Sequence, residues 1–179
     1  MDNVINSTIK FFRETWIYMV VLLLVLLIKI FVVTPVRING TSMNPTLHDG
    51  DIMILNKIAY KSSDIKRFDI VVIYLNDKLN NEKLIKRVIG LPGDSIEYKN
   101  NKLYVNGKYV KEDFDHTNTE DFDLSLISAT TVPRDSYFVV GDNREVSADS
   151  RVIGFVSKDE IAGRVSYTIF PFNRIGTKK

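Results

Sequence analysis

The sequence predicts a mainly β protein, an antiparallel β-rich domain on a single N-terminal transmembrane helix. Three observations carry this. An apolar block fills 16–33, the chain after Pro35 breaks into short alternating or apolar runs divided by turn residues, and 179 residues make one ordinary domain with its own core rather than two large ones.

The apolar block reads WIYMVVLLLVLLIKIFVV and only Lys29 interrupts it. As a helix it rises roughly 27 Å, close to the thickness of a bilayer's hydrocarbon core. Trp16 and Tyr18 stand where an aromatic belt would lie, and Lys29, about one turn from the far end, can extend its ammonium to the interface. A cleavable secretory signal is the alternative. The block is longer than the usual apolar region of such signals, however, and Thr34, Pro35, Val36 and Arg37 offer no small-x-small cleavage pattern. Charge does not orient the span, because Lys10 and Arg13 precede it while Arg37, Lys57 and Lys61 follow it.

The chain thus divides into a short tail and anchor, 1–35, and a β-rich domain, 36–179. Strand-like runs lie at 51–55, 69–75, 83–89, 95–98, 103–105, 108–110, 137–140 and 161–170. Asn106-Gly107 between two of them signals a hairpin, since both central residues of a type I′ turn need positive φ. The stretch 111–131 is polar and acidic and reads as an excursion from the sheet. Residues 157–160 can form one helical turn from a Ser N-cap. A closed or sandwich-type antiparallel architecture follows.

Composition excludes several function classes. Lys and Arg at 24 against Asp and Glu at 22 leave a net charge of +2, which gives nucleic acid no electrostatic reason to bind. With no cysteine there is no thiolate nucleophile, thiolate metal site or disulfide, and with only His48 and His116 little remains from which to build a metal site. Phosphate-loop, zinc-protease, nucleophile-elbow and calcium-loop patterns are absent, and no cofactor is implied. His48, beside Asp49 and six residues after Ser42, suggests a Ser-His-Asp arrangement, but a His-Asp-Gly turn reads as surface; His116, among acids, reads as solvated.

Three segments carry residues that a β fold does not require. In GTSMNPTLHDGD, 40–51, Ser42 lies between Gly40 and Pro45 on a constrained corner, where a hydroxyl can be presented with main-chain N–H groups; an ordinary Ser/Thr turn is the alternative. In KRVIGLPGD, 86–94, Lys86 shares a strand face with Val88, and Arg87 shares the other with Ile89. If the Lys86 face is buried, desolvation lowers the lysine's pKa toward that of a general base; a solvated lysine is the plain alternative. In GDNREVSADSR, 141–151, Asp142, Asp149, Arg144 and Arg151 either pair with one another as a support shell or form a solvated loop.

Taken together, SMNPTL at 42–47, KRVIGLPGD at 86–94 and GDNREVSADSR at 141–151, in that order after an N-terminal anchor, resemble the signature boxes of the bacterial type I signal peptidases. These are membrane-bound Ser/Lys endopeptidases that cut signal peptides from exported preproteins after small residues, of the Ala-x-Ala type. The resemblance extends from the anchor to about residue 172. It implies Ser42 as nucleophile, Lys86 as general base, Ser147 as the hydroxyl orienting the lysine, and Asp149 and Arg151 as the ion pair bracing the site. It implies no metal, and a variable β-region inserted at about 95–135. Where some members carry a hydroxyl for the oxyanion hole this chain has Gly40, so a backbone N–H near Gly40 would serve; Glu145-Val146 stands where many relatives have Asp-Asn. The single anchor resembles the Gram-positive form, which implies a cytoplasmic N-terminus and an extracytoplasmic domain. The implied partners are signal peptides, the bilayer and the protein-export channel. A peptidase with one dedicated substrate, and a membrane-anchored binding domain without catalysis, remain as other readings, as does a self-cleaving Ser/Lys repressor. The repressor fits least, since a membrane span stands where its DNA-binding domain would be.

Overall fold

The computed structural model describes residues 2–75 and 82–178, with side chains from residue 14 onward apart from that of Glu82. Helix α1, Asp2–Phe31, holds the apolar block. Its window Glu14–Phe31 has a mean hydropathy of 2.2 and buries nothing against the rest of the chain, so it fits a membrane anchor. The helix stops at Phe31 and strand β1, Val33–Arg37, begins two residues later. The last of the apolar block therefore belongs to the domain. β-Branched Val32, Val33 and Thr34 lose rotamer freedom in a helix, and Pro35 both lacks an N–H and pushes Thr34 out of the helical region.

The remaining strands are β2, Ile52–Asn56; β3, Ile70–Leu75; β4, Glu82–Gly90; β5, Ile96–Lys99; β6, Lys102–Val105; and β7, Lys108–Val110. Then come β8, Phe122–Asp123; β9, Ser136–Val140; β10, Val156–Ser157; β11, Ile161–Phe170; and β12, Gly176–Thr177, with helix α2, Ser150–Ile153, between β9 and β10. The larger sheet is ordered β1-β2-β11-β3-β4-β9-β10, with β12 on β11, and the smaller is β7-β6-β5-β8; all pairings are antiparallel. The expected hairpin is present, with φ of 53° at Asn106 and 73° at Gly107. The expected turn at Lys158–Glu160 is a single 3-10 turn, in which Glu160 Oε2 accepts from the Ser157 N–H at 2.7 Å.

Two expectations change. The acidic stretch 111–131 does not stand clear of the protein: Phe122 and Leu124 are buried with Ile96, Tyr98 and Phe138, and Phe114 packs against the same cluster. Apolar residues spaced among the acids draw it inward. The strand β4 also departs from the half-buried alternation that its Lys and Arg suggest. It lies between β3 and β9, both its faces are covered, and every residue from 85 to 90 is buried, Lys86 to 2% exposure and Arg87 to 0%.

Candidate active site

The turn 40–51 is held from below by its own apolar residues. Met43 and Leu47 enter the core with Val36, Met53 and Leu55, while Gly40, at φ +89°, opens the turn in a conformation that suits glycine. Ser42 is left half-exposed on the rim. From β4, Lys86 reaches the same place, and its Nζ lies 2.7 Å from Ser42 Oγ. The loop after β9 closes the third side: the Asn143 N–H donates to the Ser42 carbonyl at 3.0 Å, and Asn143 Nδ2 donates to the Thr41 carbonyl at 3.2 Å. Gly141 makes this approach possible, because a Cβ there would collide with Ser147 Oγ and the Ser42 carbonyl oxygen. Residues 44 and 102 positions apart in the chain are thus brought into one site.

Burial sets the chemistry of Lys86. Desolvation disfavours its ammonium and lowers the pKa from 10.5 to about 8; Asp149 opposes the shift, and Arg151 adds to it. A lysine of that kind is neutral in about a tenth of molecules at pH 7 and in about half at pH 8. Its lone pair then faces a hydroxyl at hydrogen-bond distance.

Comparison with known proteins gives the family. The family model for signal peptidase, peptidase S26, matches residues 11–170. The chain belongs to that family. It is 39% identical over 174 residues to signal peptidase IB of Staphylococcus aureus strain Mu50, covering 88% of this chain and 90% of the relative. Identity to signal peptidase I of Bacillus caldolyticus is 43% over 169 residues, covering 89% and 91%. The crystal structure of a signal peptidase I from Enterococcus faecalis V583 matches 57% of this chain and 97% of its own, at 37% identity and a TM-score of 0.51. The protein is therefore an enzyme, a hydrolase of the signal peptidase I type.

Within this candidate site the third box does not pair as a closed set. Asp149 and Arg151 do meet, Arg151 Nε and Nη2 donating to the two carboxylate oxygens at 2.9 Å each, and Asp149 Oδ2 also accepts from the Gly141 N–H at 3.0 Å. Asp142 instead takes Arg87 of β4, and Arg144 takes Glu112 of the acidic stretch at 2.6 Å. Both outside partners were missed because they lie far off in sequence. Ser147 Oγ is buried with no hydrogen-bond partner among the described residues, so the site holds a hydroxyl free to accept or donate. The Gly40 amide, expected near the oxyanion position, donates to Asp49 Oδ1 at 2.7 Å, whereas the Ser42 amide donates to nothing among the described residues.

Neither histidine joins the site. His48 is exposed, its backbone N–H spent on Asp51 Oδ2. His116 is not solvated as expected: its ring lies 3.5 Å from Glu112 with the side chain 13% exposed. Among the described residues no cluster of three His, Cys, Asp or Glu is placed to hold a metal ion. A larger hollow of about 430 Å³ beside Phe68, Phe114 and Arg164 is lined by neither Ser42 nor Lys86.

A further tie was not legible in the sequence. Asp51, wholly buried at the end of the Ser42 turn, accepts from Arg174 Nη2 at 2.6 Å and from its Nε at 3.1 Å. Arg174 belongs to a 3-10 turn beyond the family match, and nothing in Phe172–Arg174 marks it as a partner of residue 51. Arg174→Met leaves a buried carboxylate without its cation and is expected to cost about 1–3 kcal/mol of stability. Urea unfolding of the full chain in detergent checks this, with Arg174→Lys expected to recover part of the loss.

Proposed function

We propose that the chain removes signal peptides from exported preproteins by a Ser/Lys acyl-enzyme mechanism. The observation that carries this is the 2.7 Å contact between Ser42 Oγ and a buried Lys86 whose pKa is brought down to about 8. Neutral Lys86 takes the Ser42 proton as Oγ attacks the scissile carbonyl. The lysinium then gives that proton to the leaving amine, and a water, deprotonated by the again neutral Lys86, hydrolyses the ester. The developing oxyanion is met by the Ser42 amide. Ser147, with its unpartnered hydroxyl, orients the lysine, and the Asp149–Arg151 pair holds the loop that carries it.

Substrate size follows from the space beside the nucleophile. A cavity of about 70 Å³ touches Ser42 and is walled by Ile38, Met43, Leu84 and Ile85. That is room for only a few small groups. Alanine one position before the cut fits and phenylalanine does not. A peptide series read by mass spectrometry is expected to show phenylalanine cleaved at least about 100-fold more slowly than alanine; equal rates would remove the specificity reading.

Membrane placement is part of the proposal, with the N-terminus cytoplasmic and the domain outside, beside the export channel. Val33, the first residue of β1, pairs with Asn56, Asn56 with Arg164, Arg164 with Val71, and Val71 with Lys86. Lys86 therefore stands in the same row of the sheet as the chain's exit from the anchor, at most roughly 19 Å away at about 4.8 Å per strand. A cleavage site at the end of a membrane-embedded signal peptide is within that reach.

The lysine also sets two pH dependences. Because only neutral Lys86 accepts the proton, kcat/KM is expected to rise about tenfold per unit below about pH 8 and to level off above it. Stability follows the depressed folded pKa: the unfolded chain binds more protons between about 8 and 10.5, so this contribution makes stability rise with pH across that window, and the penalty is fully present below about 8. Lys86→Met removes a penalty of about 3 kcal/mol at most, at 1.36 kcal/mol per unit. The variant is expected to be more stable than wild type at pH 7, with the advantage shrinking toward pH 10. Urea melts at both pH values decide it, and a less stable variant at pH 7 would mean a solvated or ion-paired lysine.

A further inference from the structure

The turn after β2 grips the end of the anchor. The Lys57 N–H donates to the Val32 carbonyl at 2.9 Å and the Lys57 ammonium to the Ile30 carbonyl at 3.0 Å. From that grip a crevice of about 270 Å³ opens, lined among others by Lys57, Tyr60, Lys61, Lys158, Asp159 and Gly163. Gly163 precedes Arg164, which stands in the sheet row that starts at Val33, so the crevice lies at the level where the chain leaves α1. Lys61 and Lys158 are exposed, and neither has an ion pair among the described residues. Among the described residues, three ammonium groups thus border the hollow against one carboxylate, that of Asp159. Tyr60 contributes an aromatic wall rather than a donor, its hydroxyl being given to Asp69 Oδ2 at 3.0 Å. The catalytic reading uses none of these residues.

We propose that this crevice binds the headgroup of an anionic phospholipid and so clamps the domain to the bilayer beside its anchor. The proposal rests on α1 being a membrane span. The chemistry favours this occupant on two counts. A phosphodiester offers acceptors to ammonium groups, and a headgroup with net negative charge brings no cation of its own for the three lysines to repel, unlike choline. Position selects the lipid over phosphate in solution, because Lys57 is fastened to the last residues of the helix and the crevice opens where headgroups are concentrated.

The test uses the full chain in bilayer discs of phosphatidylglycerol and phosphatidylcholine in equal amounts, with lipids retained after release counted by native mass spectrometry. Wild type is expected to retain phosphatidylglycerol at least about tenfold over phosphatidylcholine, with Lys61→Gln and Lys158→Gln each removing about fivefold and Asp159→Asn raising the preference. Millimolar inorganic phosphate is expected to leave the ratio unchanged. Equal retention by wild type, an undiminished preference in the Lys61→Gln/Lys158→Gln variant, or loss of the preference on adding phosphate would each overturn the headgroup site. Flotation with vesicles separates the two readings. A chain that floats yet shows no preference sinks this inference alone, whereas a chain that fails to float sinks the anchor and the headgroup site together.

Discussion

Ser42→Ala and Lys86→Met are each expected to slow cleavage of a preprotein by the full chain in detergent by at least about a thousandfold. Under the proposed mechanism the first removes the attacking oxygen, and the second keeps the apolar stem in its buried slot and removes the amine that lies 2.7 Å from that oxygen. The two losses should not add, since a nucleophile without its base and a base without its nucleophile leave the same residual activity. His48→Ala is the control. Its side chain is exposed and outside the site, and more than about a third of the rate should remain. A folded but inactive His48→Ala, or a Ser42→Ala variant with appreciable turnover after exclusion of contaminating peptidase, would transfer the chemistry to other residues.

The second large effect lies behind the lysine. Arg87→Met is expected to destabilise the protein by about 3–5 kcal/mol, because it strands a carboxylate in the interior. Arg87 and Asp142 both have wholly buried side chains, joined by Nε to Oδ1 at 2.8 Å and Nη2 to Oδ2 at 2.6 Å. The guanidinium also donates to the Phe68 carbonyl at 3.0 Å and lies 3.8 Å from the Phe114 ring centroid. Methionine satisfies none of these partners. Asp142 in turn adjoins Asn143, which holds the Ser42 carbonyl, so activity should fall with stability. The double variant Arg87→Met/Asp142→Leu, which leaves no lone charge, is expected to recover most of the loss. Urea unfolding of the three variants measures it; a single-variant cost below about 1 kcal/mol would be that of a solvated pair and would refute the buried one.

Much of this protein is local, and what is local was readable. The continuous apolar run in 70–75, alternation in the later part of 161–170, positive-φ residues at Asn106-Gly107 and the long apolar block each specify an element through contacts among near neighbours. The runs 108–110 and 161–170 coincide with β7 and β11 to the residue. Hydropathy does not distinguish a β-branched residue in a span from one in an edge strand, so the apolar block runs on to Val33, although the helix ends at Phe31 and Val33 pairs with Asn56.

Sequence alone offered Ser42 on a constrained corner and Lys86 on a strand as candidates, with no cysteine to compete with them, and their joint role came only as what the resemblance to the type I signal peptidases implies. What it could not determine was whether Lys86 is buried, because alternation allows either face of a strand to meet water. Only the tertiary structure decided that: β3 and β9 flank β4 within the sheet, both its faces are covered as well, and the same covering obliged Arg87 to find Asp142. It decided likewise that Arg144 pairs with Glu112, that Arg174 returns to Asp51, and that the Gly40 amide is taken by Asp49. A buried charge must find a partner wherever the fold brings one, and distance along the chain gives no sign of which partner that will be.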